Sequence, residues 1–315
     1  MNAITTVIGD TVNEDRINGM RSINTESVRC ATMHGYGYAN GAGTIVNAIA
    51  IWKGAAFCID LRTTADVELH ECTGDTSRIT GRIEGGGDTA LIERCVSLVL
   101  DRFGYQCEGT VTTRSEIPIA RGLKSSSAAA NAVTLATLDA IGESLPPIDV
   151  VRMGVRAALD SGVTITGAFD DACASMLGGI VITDNRNQEL VERVEYDSDV
   201  LIYLPETRAF TADTDVARSN AIAPLVEVAY QLALSHDFKN AMTLNGLLYC
   251  AALGFDTEIV MHALELGVTG VGLSGTGSAY TALPDSDQIK ELKSRWNEVG
   301  GSVIQTRIVN DLLRD

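Results

Sequence analysis

Apolar positions along the chain follow a helical period in some stretches and a strand period in others. Residues 88–103 carry apolar side chains every three to four positions, which predicts an amphipathic helix that ends at Gly104. An Ala-rich run ending at Ile141 predicts a second helix, and residues 148–161 predict a third. Further helices are predicted at 213–235, 238–253, 256–266 and 286–298.

Runs rich in β-branched residues predict the strands. These runs cover residues 44–50, 55–61, 66–71, 109–117, 178–182, 200–204, 270–273, 279–283 and 302–309. Strands and helices in mixed order, with some neighbouring hairpins, predict an α+β fold rather than a strictly alternating one. The polar stretch 183–195 is the predicted boundary between an N-terminal domain, 33–190, and a C-terminal domain, 191–315.

The first 32 residues have few large apolar side chains and no clear period. Met33 stands immediately before the first Gly-rich segment, so we expect the ordered domain to begin near it. Residues 1–32 are then a flexible extension or the product of an upstream start codon. The rival interpretation is an edge strand at residues 3–9.

Composition and charge narrow the class of protein. The chain has 315 residues, 45% of them hydrophobic, with 24 basic and 41 acidic side chains and a net charge of −17. This is ordinary globular composition, sufficient for one large domain or two moderate ones. Because nucleic acids and anionic membranes require basic surface, neither is expected as a partner. An enzyme for small anions must instead build locally basic or neutral sites, in stretches that avoid Asp and Glu.

Cysteine usage and the absence of targeting patterns predict a cytoplasmic protein. The seven cysteines are scattered, odd in number and without a CxxC pair, as in proteins of reducing compartments. No apolar run approaches the roughly 18 residues of a membrane span. The start of the chain also lacks the basic-then-apolar pattern of a signal peptide.

Three Gly-rich segments coincide with stretches that contain no acidic residue. They are GYGYANGAGTIVN at 35–47, PIARGLKSSSAAANAV at 118–133 and GVGLSGTGSAY at 270–280. In the second, a predicted strand leads through Gly122 into a helix that starts within three serines, residues 125–127. Backbone N–H groups at a helix start, together with Ser hydroxyls, favour a phosphate group. The alternative is a helix cap with ordinary small-residue packing.

Other nucleotide-binding motifs are absent or weak. A Walker A loop needs Gly-Lys followed by Ser or Thr, and the chain contains no Gly-Lys dipeptide. Two glycine patterns of Rossmann type occur, but neither joins a buried strand to a helix as that site requires.

Two adjacent carboxylates, Asp170 and Asp171, lie in a segment of small residues. Phosphoryl transfer to a hydroxyl requires that the hydroxyl is positioned, that its proton is accepted and that cations neutralise phosphate charge. An Asp can supply the first two requirements. The competing interpretation is an Asp that caps a helix beginning near residue 171.

The Gly-rich segments and the Asp pair, in this order, resemble the GHMP kinase family, over most of the chain from about residue 33. PIARGLKSSSAAANA resembles the second family motif, GLSGTGSA resembles the third, and GYANGAGTIVN stands where the first would be. Residues 43–57 and 166–179 resemble the archaeal-type shikimate kinases within the family. The resemblance implies an N-terminal S5-like α/β domain and a C-terminal ferredoxin-like α+β domain.

The resemblance implies ATP-dependent phosphorylation of the shikimate 3-hydroxyl, with Mg²⁺, by a monomer or homodimer. Asp171 would orient or deprotonate the acceptor hydroxyl, with Asp170 as the alternative. Ser126 would touch Mg²⁺, and Asp160 is a second candidate magnesium ligand. Residues of the second motif would bind the nucleotide: Pro118, Ala120, Arg121, Gly122, Leu123, Lys124, Ser125, Ser126, Ser127 and Ala128.

The third motif would contact phosphate or substrate through Ser274, Gly275, Thr276 and Gly277. Shikimate carries a carboxylate, which favours a fixed cation and above all the fork of an Arg. The candidate cations are Lys53, Arg62, Arg121 and Arg208, and the sequence does not rank them. Lys53 can equally be an exposed side chain that lies along apolar surface.

Two alternatives stay open at this stage. The first is another small-molecule kinase of the same family, such as a homoserine kinase. The second is a nucleotide-binding protein that keeps the fold without turnover.

Overall fold

The computed structural model describes residues 32–71, 77–164, 166–206 and 216–311. Of the predicted extension 1–32, only Thr32 is among them, and it begins the first strand. The rest of that extension, with the alternative strand at 3–9, lies outside the described residues. The chain folds into two β-sheets with helices packed against them.

The first sheet has six strands, and the 19-residue strand Lys53–Glu71 lies at its centre. The strands are β1 (Thr32–Val46), β2 (Lys53–Glu71), β3 (Arg78–Ile83), β4 (Cys107–Ser115), β5 (Ile180–Asp184) and β6 (Glu189–Val194). One edge of β2 pairs with β1, while the other edge pairs with β5 over its first residues and with β4 over its last. The sheet order is therefore β3-β4-β2-β5-β6, with β1 beside β2.

Four helices belong with this sheet: α1 (Ala90–Phe103), α2 (Ser125–Ile141), α3 (Pro147–Asp160) and α4 (Phe169–Leu177). Helix α2 lies against β1 and β2, and α1, α3 and α4 pack around it. α1 has the predicted amphipathic stripe, and Gly104 ends it in the left-handed conformation. By contrast, α2 is buried along most of its length, and most of its side chains are small.

The second sheet has the order β10-β7-β9-β8. Its strands are β7 (Asp199–Leu204), β8 (Val271–Leu273), β9 (Tyr280–Ala282) and β10 (Ser302–Arg307), and its helices are α5 (Val216–Ala221), α6 (Ala223–Leu234), α7 (Phe238–Leu253), α8 (Glu258–Glu265) and α9 (Ile289–Glu298). Trp296 of α9 is fully buried, and its Nε1 donates to the Ile259 carbonyl at 3.1 Å. None of the described helices is both long and apolar enough to span a bilayer.

The α+β class and most predicted helices are confirmed, but several strand predictions are wrong. β1 runs from Thr32 to Val46, well before the predicted 44–50. The predicted strands 55–61 and 66–71 are one strand, β2. The polar stretch 183–195 contains the turn and second strand of the β5–β6 hairpin, and β3 was missed altogether. The predicted helix 213–235 is divided at Ile222 into α5 and α6. The domain limits 33–190 and 191–315 stay predictions.

Glycines of β1 allow α2 to lie directly on the strand. A Cβ added at Gly35 would come within 2.0 Å of the Ala136 carbonyl oxygen, and one at Gly37 within 2.4 Å of the Ala132 oxygen. Alternate strand residues therefore meet helix residues four apart, because both spacings keep side chains on one face. The first Gly-rich segment is thus a packing surface over most of its length.

We predict that Gly37→Ala lowers the unfolding free energy by at least about 2 kcal/mol, since the new methyl group overlaps helix backbone that has no rotamer to change. Urea denaturation measures the loss. Tyr36→Ala is the matched control, because the Tyr36 side chain is 54% exposed on the same strand. The control should cost less than about 1 kcal/mol. Equal losses would contradict the close-packing explanation.

Candidate active site

A cleft of about 600 Å³ brings together segments that are far apart in the sequence. It is formed by the turn after β1, the loop before α2 with its first turn, the loop into α4 with its first turn, and the β8–β9 loop. The lining residues are Asn47, Ala48, Ile49, Ile119, Ala120, Gly122, Lys124, Ser125, Ser126, Gly162, Val163, Thr164, Thr166, Ala168, Asp170, Asp171, Gly275 and Thr276. Clefts of about 710 and 740 Å³ lie elsewhere, but no residue of the Gly-rich segments 118–133 and 270–280 lines them.

The first turn of α2 presents an anion-binding surface to this cleft. The helix begins after Lys124, whose backbone is left-handed (φ 64°) and whose side chain does not cap the helix. No acidic residue lies in the first turn. The first backbone N–H groups of a helix have no acceptor within it, and they carry the positive end of its dipole. Together with the Ser125 and Ser126 hydroxyls they form the surface that phosphate groups prefer.

The second and third motifs are held together by backbone contact. The Ser274 hydroxyl donates to the Gly122 carbonyl at 2.8 Å. A Cβ added at Gly122 would lie 2.0 Å from the backbone carbonyl oxygen of Ser274. A Cβ at Gly277 would lie 2.2 Å from the Gly122 nitrogen. The amide of Gly275 donates to Thr44 Oγ1 at 2.9 Å, which ties the third motif to β1 as well. These glycines are required by the close approach of two loops.

Lys124 and Asp171 form an ion pair inside the cleft. The Lys124 ammonium lies 2.9 Å from Asp171 Oδ1, and the two side chains are only 12% and 11% exposed. Lys124 is the one basic residue among the described residues that line the cleft. A Cβ at Gly275 would lie 2.8 Å from the same ammonium group, so the third motif closes over it. The cation is therefore held between the start of α2, the carboxylate and the β8–β9 loop.

Asp171 has an unusually high affinity for its proton. Burial disfavours the charged carboxylate and, with the nearby charge of Asp170, raises the Asp171 pKa to about 7, although Lys124 opposes the shift. A carboxyl group with this pKa ionises near neutral pH and can accept a proton effectively there.

Asp170 faces away from the ion pair. Its Oδ1 accepts a hydrogen bond from Asn185 Nδ2 at 2.7 Å, and its backbone N–H donates to Asn185 Oδ1 at 3.2 Å. Its other oxygen lies over β2, where a Cβ at Gly54 would approach it to 2.4 Å. The two neighbouring carboxylates thus have different partners.

Nine of the predicted site residues lie together in the cleft: Ala120, Gly122, Lys124, Ser125, Ser126, Asp170, Asp171, Gly275 and Thr276. Seven others from the same two motifs do not line it: Pro118, Arg121, Leu123, Ser127, Ala128, Ser274 and Gly277. Leu123 and Ala128 are buried in the core, and Ser274 holds the loops together.

Three of the four candidate cations for a substrate carboxylate, Lys53, Arg62 and Arg121, lie outside the cleft lining. Lys53 pairs with Glu227 at 3.1 Å and lies over the Tyr230 ring. Arg62 lies over the Tyr38 ring, 5.0 Å from its centre. Arg121 donates to the Pro205 carbonyl and the Ser278 hydroxyl, and so holds β7 to the third motif. Arg208 lies outside the described residues.

Asp160 is also separate from the cleft. It ends α3, where Arg94 and Arg156 each approach its carboxylate at 2.8 Å. The hydrogen bond from Arg94 lowers the Asp160 pKa. Two guanidinium groups already occupy this carboxylate. Asp160 also does not line the cleft that contains Ser126, the other predicted magnesium ligand. No cluster of three or more His, Cys, Asp or Glu side chains suited to a metal occurs within the described ranges.

Sequence reasoning missed several residues of the cleft and its surroundings. Asn47 and Ile49 follow β1, and the Ile119 and Val163 side chains are about half exposed at the cleft. Asn185 was passed over as part of a polar linker. Asn47 and Ile49 lie in the stretch 27–59, whose lack of acidic residues indicated a site for anions. Nothing in the local sequence distinguishes Asn185 from other polar residues.

Comparisons with known proteins identify the family of the chain. Residues 90–179 match the GHMP kinases N terminal domain, which includes the second motif and the Asp pair. A shikimate kinase of Methanosarcina acetivorans is 63% identical over 283 residues, covering 89% of this chain and 95% of the relative. The solved mevalonate kinase of Methanococcus jannaschii has a TM-score of 0.68 at 16% identity and covers 90% of this chain and 100% of its own.

A further solved structure, described as MDDEF in complex with MVAPP, AMPPCP and magnesium, has a TM-score of 0.64 at 15% identity. It covers 89% of this chain and 98% of its own. The two structural neighbours share the α+β fold of this chain. The chain belongs to the GHMP kinase family, and the resemblance seen in the motifs is confirmed.

We predict that ionisation of Asp171 lowers protein stability as the pH rises from about 4 to 7. The folded protein binds this proton more tightly than the unfolded chain, whose aspartates titrate near 4. The unfolding free energy of Asp171→Asn relative to wild type should therefore rise over this range and level off above pH 7. Loss of the partner of Lys124 should change the level of this curve rather than its slope.

Urea denaturation at a series of pH values measures this difference, with Asp160→Asn as the control. The Asp160 pKa is lowered, so its contribution to the unfolding free energy changes only below about pH 5. The difference in unfolding free energy between Asp160→Asn and wild type should therefore be flat from about pH 5 to 7. A flat curve for Asp171→Asn as well would contradict the raised pKa.

Proposed function

We propose that this protein is a shikimate kinase, which transfers the γ-phosphoryl group of ATP to the shikimate 3-hydroxyl and yields shikimate 3-phosphate and ADP in aromatic amino acid biosynthesis. The observation that carries the proposal is the Lys124–Asp171 pair at the start of α2, in a chain 63% identical to a shikimate kinase. Cation, proton acceptor and phosphate-binding N–H groups meet there in one cleft.

The start of α2 is where the triphosphate of ATP would bind. Its free N–H groups and the Ser125 and Ser126 hydroxyls suit phosphate oxygens, and Lys124 supplies the positive charge. The neutral oxygen donors also suit Mg²⁺, which is commonly held by one or two protein groups together with substrate phosphates. Ser126, exposed at the cleft, is the proposed protein ligand. When bound, the ion would neutralise phosphate charge.

Asp171 is the proposed acceptor of the hydroxyl proton. As the shikimate oxygen forms its bond to the γ-phosphorus, the bond from that phosphorus to the bridging oxygen breaks and ADP leaves. The proton of the 3-hydroxyl passes to the Asp171 carboxylate. Lys124, 2.9 Å from this carboxylate, is placed to stabilise negative charge on the transferring phosphoryl oxygens.

The substrate carboxylate still needs a cation. Lys53, Arg62 and Arg121 are committed to other partners, and Lys124 is assigned to the phosphates. Arg208 lies outside the described residues, so Lys53, Arg62, Arg121 and Arg208 all stay predictions for this role. The five described cysteines are buried free thiols, which supports a reducing compartment. We propose that the protein works in the cytoplasm. We also propose that it is a monomer or homodimer.

We predict that Mg²⁺-ATP is consumed rapidly only when shikimate is the acceptor. ADP formation is followed with shikimate, homoserine and mevalonate at equal concentrations, and ³¹P NMR of the product identifies the phosphorylated hydroxyl. Faster turnover of homoserine or mevalonate would assign the protein to another small-molecule kinase. Nucleotide binding without turnover of any acceptor would indicate a protein that keeps the fold but not the reaction.

We predict that Asp171→Asn lowers kcat by roughly 10²–10⁴-fold, the usual contribution of a positioned general base. The KM for ATP should change by less than about threefold, because the phosphate-binding groups on α2 are retained. Steady-state kinetics with Asp160→Asn as the control checks this, since Asp160 lies outside the cleft. Unchanged kcat in Asp171→Asn would exclude Asp171 as the proton acceptor.

A further inference from the structure

Asn185 makes an unusual set of contacts with the first turn of α4. It follows β5 directly and is 3% exposed. Its Nδ2 donates to Asp170 Oδ1 at 2.7 Å, while its Oδ1 accepts from the Asp170 amide at 3.2 Å and from the Thr183 hydroxyl at 2.7 Å. Only one orientation of the amide allows its oxygen to face two donors, so the network itself fixes which atom is the nitrogen.

These contacts replace the cap that α4 lacks. The residue before the helix is Ala168, which has no side-chain oxygen and has a left-handed backbone (φ 48°). The N–H of Asp170 lies in the first turn, where no acceptor exists within the helix. Asn185, 15 residues further along the chain, supplies that acceptor. The amide therefore fixes the turn of helix that carries both carboxylates.

The same amide keeps the two carboxylates in different roles. Asp170 is bound to Asn185 on one side and lies against Gly54 on the other, so its carboxylate has no freedom to turn towards Lys124. Asp171 is the next residue and pairs with Lys124 in the cleft. The position of Asp170 beside Asp171 contributes, after burial, to the raised pKa of Asp171.

We propose that Asn185, supported by Thr183, is a positioning residue for phosphoryl transfer: it holds Asp170 in place as a fixed carboxylate and thereby presents Asp171 to the acceptor hydroxyl. This role rests on the proposed kinase function. Asn185 touches neither nucleotide nor acceptor in this assignment and acts through Asp170.

A double-mutant cycle tests the proposal, with kcat and the KM for ATP measured for wild type, Asn185→Leu, Asp170→Asn and the combined variant. Asn185→Leu should lower kcat by 10- to 100-fold and change the KM for ATP by less than threefold. If Asn185 acts through Asp170, the combined variant should lose no more than the larger single loss. Additive losses, or an unchanged kcat in Asn185→Leu, would overturn the proposal.

Two further variants keep the test decisive. Thr183→Val, nearly isosteric, removes one hydrogen bond to Asn185 and should give a smaller loss of kcat that disappears in the Asp170→Asn background. It replaces Asn185→Leu in the cycle if that variant does not fold. Asn187→Leu is the control: Asn187 is exposed and bonds Asp184 in the same turn, so its kcat should be unchanged.

The wild-type assay distinguishes failure of the proposed function from failure of the positioning role of Asn185. A wild type that transfers no phosphate to shikimate overturns the proposed function, and the positioning role for that reaction with it. A wild type that is active, with additive losses in the cycle, overturns the positioning role alone.

Discussion

The arrangement of the cleft depends on the contact between the backbones of β1 and α2. Gly35 and Gly37 leave no side chain between the strand and the helix, and Ala132 and Ala136 meet them. This contact fixes where the first turn of α2 lies, and Gly122 and Gly277 then fix the third motif against it. The predicted phosphate-binding surface is therefore fixed by close backbone packing on two sides.

The net charge of −17 acquires a more specific meaning from the cleft. Acidic surface disfavours polyanions such as nucleic acid, which meet a protein over a wide area. A small anion meets only the cleft, where Lys124 and the start of α2 supply positive charge beside Asp170 and Asp171. The acidic body of the protein and an anionic substrate are thus compatible.

Local sequence patterns predicted helices better than strands, for a physical reason. A helix such as α1 buries one face of its own residues, so the helical period of its apolar positions is visible in the local sequence. The glycines of β1 are dictated by α2, about a hundred residues away, and no local period reveals them. The second and third motifs supply seven of the nine predicted residues that line the cleft, and the Asp pair supplies the other two, while their roles stay predictions. Asn185 escaped notice because its importance depends on Asp170 reaching it through the fold.

The difference between the two adjacent aspartates follows from packing alone. Two neighbouring carboxylates in one buried turn repel each other, so a fold that keeps both must stabilise at least one charge by other means. Asn185 does so for Asp170 with a neutral amide, which is already fully engaged. Lys124 does so for Asp171 with a cation that also lies at the start of α2. In the proposed reaction, a bound phosphate group competes for this ammonium group and so releases the Asp171 carboxylate to accept the hydroxyl proton.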